Sequence, residues 1–306
     1  MKTITVGSIY IDIDGYGGMV AYAELLRLLG EPARAVSTAV INESVPQMFR
    51  ELAVEFESAY TPVEDEEFIV IDNSDPDYFE KFVLEEKVVE VIDHHPGFEN
   101  YWMRRIGKGA QIEVVGAACT QIFEKWKQVG KLQHMSKTSA MLLAAGILDN
   151  TINFKAKITT DRDIQAYAFL AQQAGLDDAW AGKYFAQCQD AILVDIAKAL
   201  KNDTKQLVFR ANNIGEISIG QLVIWDSDLV LKKHKSIICE TMDTQGELWM
   251  VNIIDIQSGH NILIAKNSAV KKWAKQVLSA EFDEDVAVLD RLWLRKEIMK
   301  ADQLAA

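Results

Sequence analysis

Three stretches of this 306-residue chain put acids and imidazoles where they could do chemistry. They are Asp12-Ile13-Asp14, the isolated Asp72, and Asp93-His94-His95. Only five histidines occur in the chain, so two in succession behind an aspartate form an uncommon arrangement. Carboxylates gathered within a few ångströms repel one another and are tolerated when protonated, solvated or bound to a cation. Oxygen ligands with a few imidazoles and no thiolate favour Mn²⁺ or Mg²⁺ over a structural zinc. The groups suffice for two ions, and two ions about 3.5–4 Å apart can activate a water and clamp the oxygens of an in-line phosphoryl displacement. Each piece also has a plainer reading. An Asp-x-Asp after a strand is common, and a lone Asp at a strand end often caps a helix or makes a turn. Their joint placement on successive strand ends is what argues for one site.

The elements that must position them alternate between short apolar strands and helices. Residues 3–6 read as a strand and 7–18 as an extended loop, in which Asp12 and Asp14 project to the same side. A helix over 19–29 stops at Gly30. The runs 68–71, 88–92 and 112–115 are continuous apolar segments, as expected of buried parallel strands. Small residues at 116–120 open a helix, and further helices cover 136–148 and 160–174. This alternation predicts an α/β fold with a doubly wound, mostly parallel sheet. Ligands bind beyond the carboxyl ends of strands in such sheets, which is where the acids and histidines fall. After about residue 180 the texture changes to a helix over 186–200 and two strand pairs, 207–210 with 217–224 and 248–256 with 261–265. These predict a smaller α+β domain, so the chain divides into domains 1–183 and 184–306.

Composition bounds the function. Forty-five acids against 32 bases leave a formal charge of −13, which does not suit a groove for long nucleic acid. Phosphate substrates remain open, because bound divalent cations reverse the local field. No secretory signal is read at the N-terminus and no run of 18 apolar residues occurs, so a cytoplasmic protein is expected. Cys119, Cys188 and Cys239 are odd in number and widely spaced, which predicts buried free thiols and neither disulfides nor a zinc knuckle.

Asp12-x-Asp14, Asp72, Asp93-His94-His95 and Asp149 together resemble the four motifs of the DHH phosphoesterases. The similarity extends to family II (manganese-dependent) inorganic pyrophosphatases and to exopolyphosphatases. LDNTINFK at 148–155 is similar to that family's fourth motif, and VGAACT at 115–120 to its small-residue helix start. Asp203-Thr204-Lys205 followed by ISIGQ at 217–221 is similar to its lysine segment and next strand, and the order and total length agree over nearly the whole chain. The resemblance implies that Asp12, Asp14, Asp72, His94 and Asp149 ligate two Mn²⁺ or Mg²⁺ ions, with Asp72 bridging. It implies that His95 contacts substrate or protonates the leaving group and that Asp93 orients a histidine. Lys205, with Arg295 and Lys296 of a C-terminal basic motif, would bind phosphate, in an active site lying in the cleft between the domains. A homodimer through sheet edges of the first domain is implied as well.

Two positions depart from the pyrophosphatase pattern. Ser8 stands where that family has a histidine, which removes an imidazole from one metal site, and Trp293-Leu294 stands where it has Ser-Arg. The glycine-rich signature of the oligonucleotide-cleaving DHH enzymes is absent, and His260 in the only Gly-His pair is read as structural. The expected function is hydrolysis of a small phosphoanhydride, inorganic pyrophosphate or a short polyphosphate. A phosphodiesterase for nucleotides or cyclic dinucleotides, and a catalytically weak phosphate-binding regulator, are the alternatives.

Overall fold

A computed structural model describes residues 1–305, which separate into two compact units divided between Ala181 and Gly182. In the first unit the order is β1 (Lys2–Thr5), α1 (Ile13–Leu28), β2 (Ala33–Val36), α2 (Gln47–Arg50), β3 (Phe56–Glu57) and β4 (Glu67–Ile71). There follow β5 (Val88–Asp93), α3 (Glu99–Ile106), β6 (Ala110–Ile112), α4 (Ala118–Gln128), α5 (Lys137–Asn150) and α6 (Asp161–Ala174). All six strands pair in parallel, in the order β3-β2-β1-β4-β5-β6. The order reverses direction between β1 and β4, and such a switch point is where an open parallel sheet forms its crevice. Phe68, Val70, Val88, Val91 and Trp102 pack together as one core cluster on this sheet.

The first helix corrects the sequence reading. Residues 7–18 are not one extended loop, because α1 begins at Ile13, six residues earlier than expected. Asp12 is its N-cap, accepting a hydrogen bond from the Gly15 amide at 2.9 Å, so Asp12 and Asp14 do not share one face of an extended segment. The glycines that suggested a loop serve close packing instead. A Cβ at Gly17 would lie 2.8 Å from the Leu142 carbonyl oxygen, and one at Gly18 would lie 2.8 Å from Ile71. On α5, a Cβ at Gly146 would meet Cys119 Sγ at 2.6 Å and the Asp14 Cα at 3.0 Å. Small residues thus let α1, α4 and α5 approach one another closely.

The second unit follows a division that falls inside α7 (Trp180–Val194). The single helix expected over 186–200 is two, α7 and α8 (Ile196–Asn202), because Asp195 breaks the run and caps the second through the Lys198 amide. Then come β7 (Thr204–Phe209), β8 (Gly215–Ile224), α9 (Ser227–Asp243), β9 (Trp249–Asp255), β10 (His260–Ile264) and α10 (Ser268–Leu278). The chain closes with β11 (Phe282–Asp283), β12 (Val286–Val288) and α11 (Arg295–Ala305). The β7–β8 and β9–β10 pairs are antiparallel, as the turn residues between them imply. The crossover through α9 makes β8 and β9 parallel, where the sequence predicts only hairpin pairs. The sheet, ordered β11-β12-β10-β9-β8-β7, is therefore mixed. Alternate residues of its central strands enter different cores. Met250 and Leu263 join the cluster around Trp273, while Val251, Ile253, Ile262 and Ile264 join the one around Met242. The three cysteines are buried thiols, none of them in a disulfide. Among the described residues no helix is long and apolar enough to cross a membrane.

Candidate metal centre

The strand ends of β1, β4 and β5 bring the acids and histidines to the switch point. Asp72 follows β4 directly, and its backbone turns into the left-handed region at φ 60°, which aspartate tolerates better than most side chains. Asp93 ends β5, fully buried, and its Oδ1 accepts from the amides of His94 and His95 at 2.7 and 3.1 Å. The same oxygen lies 2.9 Å from His95 Nδ1. One carboxylate oxygen therefore fixes the turn after the strand and the orientation of the second imidazole.

The first imidazole is held from the other side. His94 Nδ1 lies 3.2 Å from the Val115 carbonyl oxygen, so the proton belongs on Nδ1 and the Nε2 lone pair faces inward. That Nε2 stands 3.3 Å from Asp72 Oδ1 and 3.9 Å from Asp14 Oδ2. His94 Nε2 and Asp72 Oδ1 are both buried without a hydrogen-bond partner, and so is Asp93 Oδ2. Two acceptors facing each other at that distance call for a proton or a cation between them. Asp72, His94 and His95 offer ligand atoms that all lie within 4.8 Å of one another. This oxygen-and-imidazole donor set fits a hard divalent ion such as Mn²⁺.

Asp14 completes the buried wall. Its Oδ2 accepts from the Ala118 amide at 2.8 Å and from Asn150 Nδ2 at 2.6 Å, and its Oδ1 from the Cys119 amide at 2.7 Å. Two of these donors are the first amides of α4, where the helix end favours negative charge. Asp163 braces the approach to that helix, accepting from the Gly116 amide and from Thr120 Oγ1. Asp149 occupies the last turn of α5, one residue before the Asn150 that touches Asp14. The sequence motifs mark the segments that hold Asn150, the α4 amides and the Val115 carbonyl, but not their contacts with Asp14 and His94, since each acts across a long separation in the chain.

The electrostatics follow from this crowding. Burial, then the charges of Asp12 and Asp14, pushes the Asp72 carboxyl well above the usual range. Burial and the Asp14 charge raise Asp12 as well. Burial pushes Asp93 the other way from its partners, but the hydrogen bond from His95 and the imidazole charges outweigh it and hold Asp93 low. Burial likewise works against a charged His95, and the Asp93 bond with the Asp72 charge lifts it regardless.

The three expected phosphate cations belong to the second unit. Lys205 on β7 and Lys296 on α11 are exposed. Arg295 is buried, and its Nη2 reaches the Asp203 carbonyl at 2.9 Å and Asp203 Oδ1 at 2.5 Å. Buried amides hold the segment before it. Asn252 and Asn261 donate to the Trp293 carbonyl at 2.9 and 2.7 Å, and the Arg295 amide donates to Gln221 at 3.2 Å. Arg295 Nε and Trp293 Nε1 remain buried N–H donors without a partner.

Comparison with known proteins finds a matching family model, relatives and similar folds. Residues 2–147 match the DHH family, N-terminal domain. The chain is 23% identical to a Bacillus licheniformis protein assigned as a manganese-dependent inorganic pyrophosphatase, covering 97% of this chain and 96% of the relative. It is 24% identical to a Deinococcus radiodurans protein of the same assignment, over 96% and 95% of the two chains. Its fold is similar to that of a Methanococcus jannaschii protein assigned as a family II inorganic pyrophosphatase, with TM-score 0.67 and 18% identity over 99% and 100% of the chains. An exopolyphosphatase-related protein from Bacteroides fragilis has the fold too, with TM-score 0.53 and 12% identity over 99% and 91%. Asp12, Asp14, Asp72 and the Asp93-His94-His95 turn thus lie within the stretch that matches the DHH family, N-terminal domain.

Proposed function

We propose that this chain is a Mn²⁺-dependent hydrolase of small phosphoanhydrides, inorganic pyrophosphate or short polyphosphate, as its relatives' names suggest for them. The observation that carries the reading is the pair of buried, partnerless lone pairs on Asp72 Oδ1 and His94 Nε2. Asp72, His94, Asp12, Asp14 and Asp149 are the proposed ligands of two ions. Bound there, divalent manganese would supply Lewis acidity toward a phosphoryl oxygen and toward the attacking water.

The chain's own residues do the rest. The α4 amides and Asn150 hold the Asp14 carboxylate in place. Asp93 anchors His95 through Nδ1, which turns Nε2 of this half-exposed ring toward the cavity, where it donates a proton to the departing oxygen. The raised affinity of His95 for its proton suits that role. Lys205, Arg295 and Lys296 are the proposed phosphate contacts, and the partnerless Arg295 Nε is the kind of donor that an anion satisfies. The same reading makes the protein cytoplasmic and a homodimer through edge strands of its first sheet. A monomer in sedimentation would remove the dimer without touching the chemistry.

The test is phosphate release from pyrophosphate and from tripolyphosphate, with Mn²⁺ and Mg²⁺ side by side. Mn²⁺-stimulated release from at least one is expected. No release from either, with Mn²⁺ demonstrably bound, rejects the proposal.

A further inference from the structure

Asp12 is reached by a stretch of chain that belongs to no strand of the first sheet, since β1 ends at Thr5 and α1 begins at Ile13. Two irregular segments hold that stretch. One follows Asp72: Gly7 pairs with Phe79, and the Ser8 amide donates to the Tyr78 carbonyl at 2.8 Å. The other follows β2: the Ile11 amide donates to the Val40 carbonyl at 2.9 Å, and the Asn42 amide to the Ile11 carbonyl at 2.8 Å.

Glu80 joins the two holding segments. It directly follows Phe79, and both it and Ser37, the first residue after β2, are buried. Its Oε1 accepts from Ser37 Oγ at 2.5 Å, from the Thr38 amide at 2.7 Å and from the Ala39 amide at 3.1 Å. Its Oε2 accepts from Thr38 Oγ1 at 2.7 Å. All four donors come from three consecutive residues, immediately before the Val40 that bonds Ile11. Bonds to a carboxylate are among the stronger ones in proteins, and burial makes their loss costly. One side chain therefore ties together the loops after β1, β2 and β4 at the carboxyl edge of the sheet. Asp14 is bonded directly to α4 and to Asn150, and Asp93 organises its own turn. Asp12 instead accepts from the Gly15 amide of its own helix, a bond that does not fix it to the sheet. Ligand atoms must be held within about 0.5 Å of their working places, so the entry to Asp12 needs a brace from elsewhere.

We propose that Glu80 is a positioning residue for the metal centre, clamping the 37–42 and 78–79 segments so that the chain between them delivers Asp12 to the ions. This role rests on Asp12 being a ligand, as proposed above, and adds the device that places it. The test is calorimetric Mn²⁺ titration of the full chain, with urea unfolding of the metal-free protein beside it. Glu66→Ala is the matched control. Glu66 is equally buried and accepts from Thr3, Tyr60 and Arg34, but it lies at the opposite edge of the sheet, by the starts of β1, β2 and β4. Both alanine variants should lower the urea midpoint. Only Glu80→Ala should weaken at least one Mn²⁺ step, by about tenfold, the low end of what loss of an outer partner of a metal ligand causes. Glu80→Gln keeps an oxygen for the Thr38 and Ala39 amides and should recover most of that loss. Should Glu80→Ala fail to fold, Thr38→Val removes one of the four donors and should weaken the same step by about threefold. Unchanged Mn²⁺ affinity in a folded Glu80→Ala, or in Thr38→Val where that variant stands in, overturns the proposal. So does an equal loss in Glu66→Ala, or a Glu80→Gln as weak as the alanine. In each of these cases the parent still binds Mn²⁺ and the metal reading survives. A parent that binds no Mn²⁺ sinks both.

Discussion

Asp72 and Asp302 are both carboxylates withdrawn from water, one in each unit, and their surroundings are opposite. Asp302 on α11 accepts from the Arg210 amide at 2.8 Å, the Ala211 amide at 3.0 Å and Trp273 Nε1 at 2.9 Å. Its charge is completed by the chain, and the bonds tie the last helix to the end of β7 and to α10. Asp72 Oδ1 has no hydrogen-bond partner, faces the His94 lone pair at 3.3 Å with His95 Nδ1 at 3.8 Å, and has three further acids, Asp12, Asp14 and Asp93, as neighbours. A buried charge satisfied from within holds a fold together. One left open is tolerated when something from outside completes it. The partnerless atoms divide by sign too. Around Asp72 they are acceptors suited to a cation, and at Trp293 and Arg295 they are donors suited to an anion.

Substitution at the two aspartates should separate these roles. Asp72→Asn should lower Mn²⁺ affinity by more than the ~10–100-fold that loss of an outer partner of a metal ligand causes. The urea midpoint of the metal-free protein should hold, and rise at a pH above the raised Asp72 pKa, where an unpaired buried charge has been removed. Calorimetric metal titration and urea unfolding read the two effects. A fall in metal-free stability would erase the distinction between the aspartates. Asp302→Ala should do the reverse, destabilising the second unit by about 3 kcal/mol or more, since three buried donors lose their acceptor. Mn²⁺ affinity measured below the unfolding transition should stay as in the parent. A variant that unfolds no sooner would show that those donors find other partners.

A smaller effect sharpens the comparison through pH. Below the ordinary aspartate pKa of about 3.9, folded and unfolded Asp72 both carry the proton and contribute nothing. Above it the unfolded chain ionises while the folded carboxyl, pushed up by burial and by Asp12 and Asp14, still holds its proton. Stability of the metal-free protein is therefore lost as pH rises from about 4 until the raised pKa is passed. Lifted His95 acts in the same direction, its contribution fading as pH rises through its folded value. Metal-free Asp72→Asn should show a shallower decline over this window, and added Mn²⁺ should stabilise the parent more at higher pH. Parallel pH curves for parent and variant would contradict the assignment.

Much of the site is legible in the sequence because its signals are local. Asp72 and Asp93 follow apolar strands directly, and a residue's place at a strand end is settled by its neighbours in the chain. The parallel sheet follows from the same alternation of strand and helix. The start of α1 was not legible, because Gly17 and Gly18 read as loop residues until Leu142 and Ile71 are seen against them. Nor was the mixed second sheet, since α9 returns the chain parallel to a strand that the turn signals place only in hairpins.

By itself the amino-acid order determined which side chains could hold a cation and that they would reach one sheet edge, since residue type and strand periodicity are properties of short segments. Only the tertiary structure decided which lone pairs are left open. Asp14 is met by amides 104 and 105 residues away and by Asn150 136 away, while His94 is turned by a carbonyl 21 away. Such partners are selected by packing in three dimensions, and no local pattern encodes them.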